Sequence, residues 1–117
     1  MTMQMGGVTI DCEDPRGLAE FWTKAVGYEI TQDFEGFFVM LTPTDGGGYI
    51  GLQKVPEKRA GKNRVHIDFA TQDRKAEVER LIGLGATAVA EHSVPGLTWS
   101  VLQDPEGNEF CVGSHHG

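Results

Sequence analysis

The chain repeats itself, and the repeat limits what it can become. Gly7-Val8-Thr9-Ile10-Asp11-Cys12-Glu13-Asp14 leads into a helical pattern that stops at Gly27, and His66-Ile67-Asp68-Phe69-Ala70-Thr71-Gln72-Asp73 leads into another that stops at Gly85. Gly7 and His66 stand 59 positions apart, as do the closing Asp14 and Asp73. Each half then runs on into short β-like segments, so the unit reads as strand, helix, then several strands. Two such copies imply one pseudo-symmetric domain with a cleft between or within its halves. At 117 residues the chain has room for one domain and not two. Module one is expected over about 1–56, a linker over about 57–63, and module two over about 64–117.

Asp14-Pro15 is a helix start: the Asp side chain accepts from first-turn amides, and Pro at the first helical position sacrifices no hydrogen bond. Leu18, Phe21, Trp22, Ala25 and Val26 follow at helical spacing, and Gly27 supplies the stop. In the second copy Asp73 is the cap, Val78, Leu81 and Ile82 form the inward stripe, and Gly85 terminates. Arg74, Lys75, Glu77, Glu79 and Arg80 read as its solvated face. Strands are expected over 8–12, 28–32, 37–42, 49–55, 65–70, 86–91, 98–103 and 109–113, with tight turns at 44–48 and 104–108.

Composition excludes several classes. A formal net charge of −7 argues against nucleic acid, which is bound by Lys/Arg surfaces. The one basic cluster, Lys54, Lys58, Arg59, Lys62 and Arg64, lies in the Pro- and Gly-containing stretch between the two halves and reads as a solvated linker. No run approaches the ~20 apolar residues of a membrane span, and residues 1–7 do not resemble a signal peptide, so no membrane partner and a cytoplasmic location are expected. Cys12 and Cys111 lie in strand-like runs rather than in a spaced framework, which favours reduced thiols. No phosphate-binding glycine loop, nucleophile elbow or Cys-x-x-Cys pair is present, and His115 and His116 read as a frayed tail.

The second half carries Arg64-Val65-His66-Ile67-Asp68, the Leu84-Gly85-Ala86 helix exit, Trp99, and Asp104-Pro105-Glu106-Gly107-Asn108-Glu109-Phe110-Cys111-Val112. With these the whole chain resembles the vicinal-oxygen-chelate superfamily, in its glyoxalase-like branch, the group of glyoxalase I, bleomycin-resistance proteins, fosfomycin-resistance enzymes and extradiol dioxygenases. The resemblance implies an α+β fold of two βαβββ modules in a pseudo-two-fold arrangement, with curved mixed sheets around a pocket, and a homodimer. It also implies metal-ligand positions on the first and last strand of each module, which fall on Gly7, on Gly51 or Gln53, on His66 and on Cys111. Two glycines cannot ligate through side chains, Gln53 is a weak donor, and His66 and Cys111 alone remain. A catalytic zinc site needs three protein ligands, so the set is incomplete and no cofactor is expected; a divalent metal would need a displaced site drawing on Asp68, Asp11 or Glu109.

Strand period places Thr9 and Asp11 on the face of Gly7, and Asp68 on that of His66. His66 beside Asp68 has the chemistry of a general base or a polar ligand contact, and equally of a strand histidine that bonds a neighbour. Cys111 alternates with Phe110 and Val112 and reads as a small pocket-lining or buried hydrophobe, while Cys12 reads as core. Phe38, Tyr49 and Trp99 suit a pocket for a flat or hydrophobic molecule, and each suits plain core packing too.

The expected site is therefore Thr9, Asp11, Phe38, Tyr49, Gln53, His66, Asp68, Trp99 and Cys111 around a small organic molecule, with His66 the catalytic candidate. Sequestration without metal chemistry, as in bleomycin-resistance-like members, is the first reading. The second is an isomerase, lyase or dioxygenase with an atypical metal site or His66 acid–base catalysis. The third is a dimerisation or regulatory module with a vestigial pocket.

Overall fold

A computed structural model describes residues 3–61, 63 and 65–115, the side chain of residue 115 excepted. Lys62 and Arg64 of the basic cluster, and His116, lie outside the described residues. The chain divides into two compact units, Met1–Arg59 and Ala60–Gly117.

The first unit runs β1 (Gly7–Cys12), α1 (Pro15–Val26), β2 (Glu29–Asp33), β3 (Phe38–Thr42) and β4 (Tyr49–Lys54). Its four strands stand in the order β1-β4-β3-β2. β1 lies parallel to β4, and the other neighbours are antiparallel. The helix begins as expected: Asp14 Oδ1 accepts from the Gly17 amide at 3.2 Å, and Pro15 occupies the first turn. It ends with Gly27 at φ 74°, a left-handed conformation open to glycine, whose N–H reaches Thr23 O. Leu18, Ala19, Phe21 and Trp22 are buried, and α1 packs on β3 and β4. Val39, Leu41, Ile50, Leu52 and Cys12 complete the core of this unit, so period 2 in the strands and period 3.6 in the helix meet on one apolar layer.

The second unit repeats the plan with β5 (Ile67–Ala70), α2 (Arg74–Leu84), β6 (Thr87–Val94), β7 (Leu97–Gln103) and β8 (Glu109–His115). The strand order is β5-β8-β7-β6, with β5 parallel to β8. Asp73 caps α2 through Ala76 N at 3.2 Å. Leu81, Ala86, Leu102, Phe110 and Val112 are buried under or beside the helix. In both units the strand after the helix carries a register shift, at Ile30/Gln32 and at Ala88/Ala90, an irregularity suited to an edge strand.

Several expectations need correcting. Ile82 is 46% exposed, so the inward stripe of α2 narrows to Leu81 with Val78 half-buried. Arg74 is not on the solvated face: its guanidinium donates to Ser100 Oγ at 2.8 Å and pairs with Glu91 at 2.6 Å, tying α2 to β7 and β6. Glu77 and Arg80 do pair on the helix surface. β5 starts at Ile67, leaving Val65 exposed and His66 just before the strand. β6 and β7 extend towards each other until Val94 pairs with Leu97 across Pro95-Gly96. Pro fixes the first turn position and Gly96, at φ 85°, takes the second. The backbone of His115 is in β8, paired with Leu97, rather than in a tail.

The Asp104-Pro105-Glu106-Gly107-Asn108 segment is a structural device. Asp104 is 2% exposed, and its Oδ1 accepts from the amides of Glu106 and Asn108, both at 2.9 Å, while the Asn108 side chain donates to its Oδ2 at 3.1 Å. One carboxylate thus satisfies the donors of the turn that sends the chain into β8.

Candidate ligand-binding site

The register of the second sheet gathers four expected site residues. Asp68 on β5 pairs with Cys111 on β8, Cys111 pairs with Val101 on β7, and Trp99 pairs with Gly113. Side chains two apart share a face. His66, Asp68 and Ala70 therefore stand on the same side as Cys111, Gly113, Leu97 and Trp99, away from the helix-covered Phe110 and Val112. These residues, with Phe69, line a concavity of about 480 Å³, within the range of small-molecule sites.

At one end is a polar cluster. His66 Nδ1 lies 3.3 Å from Asp68 Oδ1 and 3.6 Å from Cys111 Sγ. Asp68 and Cys111 thus approach the same ring nitrogen of His66. Burial pushes the Cys111 thiol up to about 11, with the charge of Asp68, a hydrogen bond to it, and Glu109 adding to the shift. Cys111 is thus a neutral thiol near neutral pH, a poor nucleophile by its own environment. At the other end Trp99 is half-buried, its indole 5.4 Å from the His92 ring at an interplanar angle of 35°.

The remaining five expected residues belong to the first unit, on the matching face of its sheet. Thr9 pairs with Gly51, Asp11 and Phe38 both pair with Gln53, and Tyr49 pairs with Gly7. Thr9, Asp11 and Gln53 are exposed; Phe38 and Tyr49 are half-buried. By register, Gly7 takes the place His66 has in the second unit, Gly51 that of Cys111, and Phe38 that of Trp99. Neither glycine stands in open space. A Cβ on Gly7 would lie 2.4 Å from the Tyr49 carbonyl oxygen and 2.5 Å from its Cγ, and one on Gly51 would lie 2.5 Å from Phe38 Cζ. Aromatic rings fill what larger side chains would need.

Leu97, Phe69, Ala70 and Gly113 were not in the expected site. Leu97 was legible in principle, because it alternates with Trp99; placing the start of the strand at Thr98 hid it.

Residues 7–113 match the family model of the glyoxalase-like domain. The chain belongs to this family. Solved structures agree in fold. A glyoxalase/bleomycin resistance protein/dioxygenase family enzyme from Burkholderia phytofirmans PsJN superposes with a TM-score of 0.77 at 20% identity, covering 97% of this chain and 100% of that one. The fosfomycin resistance protein FosX of Mesorhizobium loti gives 0.77 at 14% identity, covering 99% and 95%. A mutant FosX from Listeria monocytogenes, solved with Mn(II) and 1S,2S-dihydroxypropylphosphonic acid, gives 0.80 at 16%, covering 100% and 92%. No curated protein matches in sequence. The glyoxalase-like chain thus shares the fold of two mixed four-stranded sheets, each with one helix.

A divalent cation is the group this family most readily implies. In the glyoxalase-like second unit, one donor atom from each of His66, Asp68 and Cys111 lies within 4.8 Å of the others. Three such donors are the protein complement of a zinc-type site, and the nitrogen, oxygen and sulfur mixture fits a borderline cation better than a hard one. The residues present fit a metal, with a different donor set from the one the resemblance implied: Asp68 joins His66 and Cys111, while Gly7 and Gly51 contribute no side chain.

Proposed function

We propose that this glyoxalase-like protein binds a small organic molecule on the open face of the second sheet, its apolar body against Trp99 and Leu97 and its polar group towards His66 and Asp68. One observation carries this reading: a concavity of about 480 Å³ whose lining is mostly apolar and whose few polar groups converge at one end. Enclosure and hydrogen bonding are the mechanism, as in sequestration, and no bond is broken. The phosphonate in the Listeria relative is not carried over, because none of the described lining residues is Lys or Arg. A second copy of the chain as partner and a cytoplasmic location belong to this reading and rest on the resemblance.

The test is calorimetric titration of wild-type protein and a Trp99→Ala variant with small aromatic alcohols and amides. Binding in the wild type that weakens about tenfold or more in the variant supports the reading, since losing an aromatic contact of this kind costs ~1.5 kcal/mol. Equal affinities in the two proteins would sink it.

The donor cluster favours a second reading, in which His66, Asp68 and Cys111 hold a divalent cation and the site is that of a metal-assisted isomerase, lyase or dioxygenase. The cation would supply Lewis-acid polarisation of a ligand oxygen. The chain's own part would be to give up the Cys111 proton, to orient the His66 ring through Asp68, and to screen the site from water with Trp99 and Leu97. Elemental analysis of protein purified without chelators separates the readings: near-stoichiometric metal that is lost in His66→Ala supports the second.

A further inference from the structure

We propose that the ligand of this site carries a positive charge beside its apolar body, so that the pocket selects organic cations over neutral and anionic molecules of the same shape. The inference rests on the reading of the second sheet as a binding face. Five observations point to it. The Asp68 carboxylate is at the polar end, with its side chain 75% exposed and able to meet a ligand. Glu109, at the start of β8, adds negative potential at Cys111. Against these, the described lining holds no Lys or Arg, and the chain as a whole carries −7. Trp99 gives the same wall an indole, the aromatic face most attractive to a cation.

The arrangement has chemical consequences. An ammonium or amidinium group meets the Asp68 carboxylate at the polar end while its apolar body lies towards the Trp99 ring, whose face attracts positive charge carried along the ligand. A carboxylate or phosphonate meets a like charge, with no Lys or Arg in the described lining to offset it. A neutral alcohol keeps only the apolar contact and one hydrogen bond. The focused negative potential also speeds the arrival of cations, an effect that fades with salt.

The experiment uses three probes with one ring each: benzyltrimethylammonium, benzyl alcohol and phenylphosphonate. They are titrated at about pH 8 into metal-free wild-type protein and into Asp68→Asn, with circular dichroism confirming that the variant is folded. The expected order is cation, alcohol, anion, with the cation about tenfold tighter than the alcohol at low salt. In Asp68→Asn that advantage, read as the ratio of the cation's affinity to the alcohol's in the same protein, should collapse to within about threefold. Alcohol or phosphonate binding as tightly as the cation in the wild type overturns the charge preference and leaves the binding face intact. A preference that persists undiminished in Asp68→Asn overturns the role given to Asp68. Failure of all three probes to bind overturns the binding face itself, and the charge preference with it.

Discussion

The ring of Phe38 occupies the space that a side chain on Gly51 would need: a Cβ there would stand 2.5 Å from Phe38 Cζ. Gly51 is the register counterpart of Cys111, so the first sheet has given the position to an aromatic ring where the second keeps a donor atom. Gly51→Glu should therefore destabilise the protein by about 1–3 kcal/mol through overpacking. Adding Phe38→Ala should return part of that loss, which a double-mutant cycle in urea would measure as a coupling between the two sites. Independent, additive effects would contradict the steric relationship.

Cys111 gives a pH-dependent signature. Its thiol is raised from 9.0 to about 11, burial first and Asp68 next. For an acid whose folded pKa is raised, the stabilisation is fully present below that ordinary value of 9.0 and is lost as pH climbs through about 11. In a Cys12→Ala background, alkylation of Cys111 by iodoacetamide should stay slow at pH 8 to 9 and rise steeply above pH 10. Asp68→Asn should move the midpoint down while leaving it above that of a free thiol, because burial persists. A wild-type midpoint at or below 9 would be inconsistent with this environment.

Asp104 should matter for stability and not for binding. Replacing it with Ala strands the Glu106 and Asn108 amides in a part-buried turn, at a cost of about 2–3 kcal/mol. Thermal unfolding would show the loss. Affinity for a pocket ligand, measured well below the melting temperature, should change less than twofold, and a larger change would assign this turn a part in the site.

The buried guanidinium of Arg74 offers a contrast. It holds Ser100 and Glu91, yet its Nε has no hydrogen-bond partner. An apolar residue of similar length keeps the packing of its stem and should cost less than an empty pocket, although either change takes the donor from Ser100 and the partner from Glu91. Arg74→Met is expected to lose about 1–2 kcal/mol in chemical denaturation, and Arg74→Ala about 3 kcal/mol. Equal losses in the two variants would show that the polar pairing, and not the packing of the stem, holds α2.

Much of the fold was legible because it rests on local signals. Asp14-Pro15 with Gly27, and Asp73 with Gly85, mark the two helices by cap chemistry alone, and the eight strands follow from alternation and turns. The errors came where tertiary contacts override local pattern. Arg74 looked solvated because charge usually is, and only the approach of Ser100 and Glu91 drew it inward. Ile82 looked buried because helical spacing cannot say how wide the covered stripe is. The grouping of His66, Asp68 and Cys111 depends on parallel pairing of β5 with β8, a contact between residues more than 40 positions apart. Spacing named the residues; only the register brought them within reach of one another. That Gly7 and Gly51 lie under aromatic rings was invisible in sequence, where a glycine shows only that a side chain is missing.

The most direct measurement is a heteronuclear NMR map of amide shifts on adding benzyl alcohol, a neutral probe that leaves the charge preference aside. Binding on the second sheet should confine the large shifts to Ile67–Ala70, to Leu97–Gln103 and to the Cys111–Gly113 end of β8, with the Trp99 indole N–H among the most affected and α1 unchanged. Shifts centred on the first unit, or none at millimolar probe, would contradict a ligand site on this face.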